Sequence, residues 1–191
     1  LLALAVALGV WLAPRVGLRA PAVSSWLAGQ PAGPALRAQL VPGLCGGVAG
    51  AAWLWLLSRL APAALQPSDP ANAMPLAVKL LHGGIPEELL MRWGVMTLLL
   101  WLGWRLLRRG HGQPRNGLVA TAVLFSAVLF AVGHLPAAQA MAGVLTMPVV
   151  AFVLVGNTVF GLVAGGLFAR HGLEAAIIAH VLAHLLASPL L

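Results

Sequence analysis

The stretch 86–107, PEELLMRWGVMTLLLWLGWRLL, decides how the rest of the chain is read. It is as long as the roughly 20 residues needed to cross about 30 Å of hydrocarbon. Its ionisable groups, Glu87, Glu88, Arg92 and Arg105, stand near its two ends, and no polar stripe runs along it of the kind a soluble surface helix requires. The composition around it agrees. The chain has 191 residues, of which 61% are hydrophobic and 8% charged, with a mean hydropathy of +0.96. A soluble domain carries about 25% charged residues, so this chain cannot cover a water-facing surface. A soluble globular enzyme, a nucleic-acid module and a disordered tail are thereby excluded. The 11 Lys and Arg outnumber the 4 Asp and Glu, giving a formal charge of +7. Scattered through an apolar chain, that excess speaks of loop topology and contact with anionic lipid rather than of nucleic acid.

The fold expected is therefore all-α, a polytopic membrane helical bundle with about six to seven transmembrane helices in one domain over residues 1–191. Residues 1–13 read as a first span, shortened at a trimmed start, rather than as the remains of a signal sequence. A polar, Pro/Gly-rich connector follows over 15–39. A second span over 40–60 is broken near its start by Gly43, Gly46 and Gly47, and a Pro-rich loop over 61–73 holds Asp69. A half-helix over 74–81 ends at His82-Gly83-Gly84, and Pro86, suited to a first helical position, opens the third full span. The fourth covers 118–134, the fifth 148–169 and the sixth 173–190. Arginines gather at 15–37, 105–115 and 170, which places those loops on the cytoplasmic side. Cys45 reads as a small buried residue.

Within such a bundle an ionisable side chain costs several kcal/mol and is a functional-site hypothesis by default. Glu87 and Glu88 open the third span, His134 closes the fourth, and His180 and His184 share one face of the sixth. With spans alternating in direction, these groups from three helices reach similar depth. Arg92, four residues after Glu88, is placed to neutralise it, which leaves Glu87 pointing about 100° away round the helix. Each residue also has a purely structural reading. The glutamates complement a positive helix start, His134 caps a helix, and the histidine pair serves as interhelical hydrogen-bond glue or as a metal-ligand spacing. Asn157 reads as interhelical glue and Glu174 as a local ion pair with Arg170. His82, His111 and His171 read as interfacial.

In this order the motifs resemble the CPBP family of intramembrane proteases, which takes in CAAX prenyl protease 2 and bacteriocin-processing-like proteins. Glu87-Glu88-Leu-Leu-Met-Arg92 is similar to its EExxxR motif and Phe130-Ala-Val-Gly-His134 to its FxxxH motif. His180-Val-Leu-Ala-His184 stands where the family has HxxxN or HxxxD. Phe160-Gly161 to Gly165-Gly166, followed by Arg170-His171-Gly172, resembles its Gly-rich helix and turn. The family-like core is about 74–191, with N-terminal spans and connectors over 1–73. The resemblance implies that Glu87 and His134 activate water to attack a peptide carbonyl, that His180 and His184 stabilise the oxyanion, and that Glu88 and Arg92 organise the site.

His184 departs from the pattern. An imidazole donates one hydrogen bond with a geometry and tautomer unlike an amide's, which either retunes the oxyanion site or disables it. The resemblance implies no obligatory cofactor. Zinc on Glu87, His134, His180 and His184 is the alternative. The expected partners are a peptide or protein substrate at the membrane and the lipid bilayer itself, with no nucleic acid, in a bacterial cytoplasmic (inner) membrane. A non-enzymatic bacteriocin self-immunity or scaffold protein of the same family is the second reading. A transporter ranks last, because no repeated halves are visible.

Overall fold

The structure, a computed structural model, describes residues 1–66 and 76–188. The expected loop position of Asp69 lies outside the described residues, as do residues 74–75 of the expected half-helix and the side chains of Lys79 and His82. Every regular element among the described residues is helical. Helix α1 (Leu2–Leu12) runs through a 3-10 turn (Ala13–Val16) and meets α2 (Pro21–Leu27) at a bend of 102°. Then follow α3 (Gly33–Leu60), a helical run over residues 76–108, α6 (Asn116–Gly133), α7 (Leu135–Ala142), α8 (Met147–Arg170) and α9 (Leu173–Ala187). The run over 76–108 comprises α4 (Leu76–Val78), two π-helical segments (Lys79–Glu87 and Leu89–Met96) and α5 (Thr97–Arg108).

The chain is thus an all-α membrane bundle. Three stretches, Gly33–Leu60, Asn116–Ala142 and Met147–Arg170, are individually long and apolar enough to cross a bilayer, or four if the bent pair counts as one span. The 15 residues of α9 rise about 22 Å, and its buried Leu173, Ala175, Ala176, Ala179, His180 and Ala183 place it within the bundle.

The stretch expected to be a polar connector over 15–39 contains α2 and the first turns of α3. Nor is the second span broken by its glycines: α3 is continuous, with Pro42 inside it. Gly43, Gly46, Gly47 and Gly50 instead form the face that meets α9, against Ile178, Ala179, Leu182 and Ala183. On α9, Ala175, Ala176, Ala179 and Ala183 are fully buried. Small residues on both sides let the two backbones approach closely, the usual basis of helix packing where lipid removes the hydrophobic drive. Cys45, expected to be buried, is exposed, because the glycines take the inward face.

Pro86 does not start a helix; it lies inside the π-helical segment. An interior proline lacks its N–H and crowds the carbonyl four residues back. Widening the turn to i→i+5 is one way to relieve that conflict, and π turns concentrate at functional sites. Asn157 donates to the Val153 carbonyl of its own helix at 2.9 Å, not across to another helix as expected. Glu174 does not serve the local ion pair expected of it. Its carboxylate is buried and accepts from the Val23 N–H at 2.9 Å, capping the start of α2 from a distant part of the chain. Beside it, Gly172 adopts φ +123, and a Cβ there would lie 2.6 Å from Pro21 and 2.8 Å from Gln39, so only glycine fits.

Candidate functional site

The π-helical turns, α6, α8 and α9 meet around a buried polar cluster. Packing α9 on α3 through its alanine face leaves His180 about 100° round the helix, toward the 76–108 run. There His180 is 3% exposed, and Glu88 and Arg92 are both fully buried.

Four contacts hold the cluster. The His180 Nδ1–H donates to Glu88 Oε1 at 2.8 Å. Glu88 Oε2 lies 3.3 Å from Arg92 Nε. The Arg92 Nη2 donates to the Gly161 carbonyl at 3.3 Å, and its guanidinium stacks over the Phe130 ring at 4.7 Å. Gly161 makes this reach possible, because α8 lies so close to α6 there that a Cβ would come within 2.8 Å of Ala127. The ion pair expected between Glu88 and Arg92 is present, and it extends into a relay that fixes the His180 ring.

Because Nδ1 is committed to a carboxylate, Nε2 is the atom His180 offers outward. Glu87 Oε2 lies 3.9 Å from that Nε2, and Glu87 is partly exposed where Glu88 is sealed in. His184, one turn further along α9, stacks on His180 with ring centroids 5.1 Å apart. His134 sits at the junction of α6 and α7, its Nδ1 donating to the Phe130 carbonyl at 2.8 Å. A carbonyl only accepts, so in the neutral ring Nε2 carries the lone pair. The Phe130 ring meets His134 edge-on at 4.6 Å and His180 at 6.2 Å, and Phe160 meets His180 at 4.7 Å. The structure therefore joins Glu87, Glu88, Arg92, His180 and His184 directly and brings in His134 through Phe130.

Sequence reasoning missed Gly83. A Cβ at Gly83 would stand 3.4 Å from His184 Nε2 and 3.7 Å from His180 Nε2, in van der Waals contact, so the glycine leaves a methyl-sized space before both rings. The Gly83-Gly84 pair preceding the glutamates was a visible hint, but only the widened helix shows which glycine fronts the histidines. Phe160 and the Gly161 carbonyl were likewise visible only as parts of a Gly-rich helix.

Among the described residues no three His, Cys, Asp or Glu side chains are placed to share a metal ion. The Nδ1 atoms of His134 and His180 are engaged by a backbone carbonyl and by Glu88, which leaves Nε2 as the atom each ring offers to a ligand or substrate.

A family model described as type II CAAX prenyl endopeptidase Rce1-like matches residues 69–186, more than half of the chain and all of the cluster. Comparison with curated proteins and with solved structures gives no match. Matched along that length, with its polar cluster inside the matched region, the chain belongs to the type II CAAX prenyl endopeptidase Rce1-like family of proteases.

Proposed function

We propose that the chain is an intramembrane endopeptidase that cleaves a membrane-associated peptide or protein. Glu87 takes a proton from water as the oxygen attacks the scissile carbonyl carbon. The carbonyl electrons move onto oxygen, and collapse of that tetrahedral species expels the amine, which leaves with the proton returned through Glu87 and His134. Carboxylate and imidazole are suited to these transfers. The oxyanion forms in the space fronted by Gly83, where Nε2 of His180 donates when the ring carries its second proton. Preorganised donors of this kind are commonly the largest catalytic contribution. Glu88 and Arg92 hold His180 in place and do not touch the reacting atoms.

One observation carries this reading: the Glu87 carboxylate faces Nε2 of a buried, carboxylate-anchored histidine at 3.9 Å, beside a gap kept open by a glycine. The basic end of the bundle supports insertion in a bacterial cytoplasmic membrane with that end inside.

The test is cleavage of a quenched peptide library by protein in proteoliposomes, with its metal content measured in parallel. Glu87→Gln and His134→Ala should each lower turnover by about 10²- to 10⁴-fold, the range general acid–base groups contribute. Unchanged cleavage in both variants would sink the proposal. Stoichiometric zinc lost together with activity on chelation would replace the water-activation mechanism with a metal one. Glu87-independent protection of cells from a bacteriocin would point to the immunity reading.

A further inference from the structure

A second polar feature lies at the opposite, basic end of the bundle, where α8 ends and α9 begins. A cavity of about 240 Å³ opens there, lined by Arg19, Arg170 and His171. Its remaining wall comes from Pro21 and from the first two turns of α3, through Ala35, Ala38 and the buried Gln39. Gln39 helps hold the walls together: its Oε1 accepts from the Ala175 N–H at 3.1 Å and its Nε2 donates to the Ala35 carbonyl at 3.3 Å. Among the described residues the two guanidiniums have no such structural employment. Both arginines are exposed, and the acid nearest in sequence, Glu174, is turned inward to the start of α2. Three basic side chains facing one concavity suit an anion, and guanidinium pairs suit phosphate in particular.

The same face of α3 supplies the second observation. Ala38, Cys45 and Ala52 are spaced seven residues apart and so lie in one row. Around the lower two runs a shallow apolar groove lined by Leu44, Cys45, Val48, Ala49 and Ala52. It begins about 10 Å further along the helix axis. Its small side chains are flanked by the exposed Leu44 and Val48, an apolar surface suited to an acyl chain. Headgroup cavity and groove thus lie in line along one helix.

We propose that an anionic phospholipid binds here, its phosphate between Arg19, Arg170 and His171 and an acyl chain along the Cys45 groove. The site shares no lining residue with the Glu87–His180 cluster and does not depend on the proteolytic reading.

The experiment is native mass spectrometry of the full chain in detergent with phosphatidylglycerol or phosphatidylcholine of equal chain length, and with inorganic phosphate alone. Retention should favour phosphatidylglycerol. Arg19→Gln/Arg170→Gln should weaken it about 30-fold, each cation near an anionic group contributing roughly fivefold. Arg109→Gln/Arg115→Gln, on another loop of the same end, should retain it. In the unmutated protein, phosphatidylglycerol should shield Arg19 and Arg170 from phenylglyoxal while Arg109 and Arg115 stay reactive, a readout that needs no variant to fold. Equal retention of both lipids, equal loss in the two double variants, or no shielding would overturn the proposal. Phosphate binding that displaces the lipid would reassign the cavity to a free anion and equally overturn it.

Discussion

Glu88 and Glu87 are neighbours with opposite surroundings, and the difference suits one sequence pair to two different roles. Glu88 is sealed among Arg92, His180 and apolar walls, whereas Glu87 remains partly exposed next to the open space before Gly83. Removing one member of a buried pair strands the other's charge, which costs about 3–5 kcal/mol. Glu88→Gln should therefore destabilise the protein by that order in a detergent unfolding titration, and Glu88→Gln/Arg92→Met should recover most of the loss. Cleavage should stay low in both, because His180 has lost the carboxylate that orients it. Full activity in the double variant would show that the relay has no positioning role. Gly83→Ala dissociates the same two properties the other way. Alanine in a helix is favoured over glycine by roughly 0.5–1 kcal/mol, so stability should hold or rise. The added methyl, 3.4 Å from His184 Nε2, should still suppress turnover; wild-type turnover would place the reacting carbonyl elsewhere.

Among the elements, the pairing of α3 with α9 sets the depth of the histidines. It rests on glycines meeting alanines and branched side chains, a contact that tolerates no added volume. At Gly47 a Cβ would fall 2.7 Å from Leu182. Gly47→Leu should cost at least the 1–3 kcal/mol typical of overpacking, read by the same titration. Val41→Leu, on the 68% exposed side of α3, should stay within about 0.5 kcal/mol. Equal effects would mean that α3 and α9 are not in tight contact. The helix over 76–108 shows where reading by residue type runs out. Gly83, Gly84 and Pro86 look like punctuation in a sequence, and a helix start at Pro86 is the natural expectation. In the fold these residues are absorbed into widened turns, because the flanking apolar residues pack on α1 and α9 and keep the run helical.

For the whole molecule, charge asymmetry separates two ends. Arg15, Arg19, Arg37, Arg109, Arg115 and Arg170 cluster at the ends of α1, α5 and α8 and the starts of α3, α6 and α9, against Arg59 at the end of α3, on the far side with the α7–α8 turn. In a Cys45→Ala background, a cysteine at His111 should react with an impermeant maleimide only from the cytoplasmic side, and one at Val144 only from the other. Labelling of both from one side would contradict the topology. Cys45 must be removed first because it is exposed on α3.

The sequence by itself determined the class of fold and singled out the polar residues that the structure gathers into one cluster. Too few charges to cover a soluble surface force a membrane bundle, and the cost of placing an acid or histidine in hydrocarbon makes each one conspicuous. Glu87, Glu88, Arg92, His134, His180 and His184 were legible for that reason, down to the Glu88–Arg92 pairing set by helical periodicity. Only the tertiary structure decided what depends on distance between helices. The Gly161 carbonyl under Arg92, the Phe130 ring joining His134 to His180 and the space before Gly83 all follow from close approaches among helices far apart in sequence. So does the engagement of Glu174 with α2 rather than with Arg170. Periodicity within one helix carries no information on such distances, which arise when small-residue faces are packed against one another.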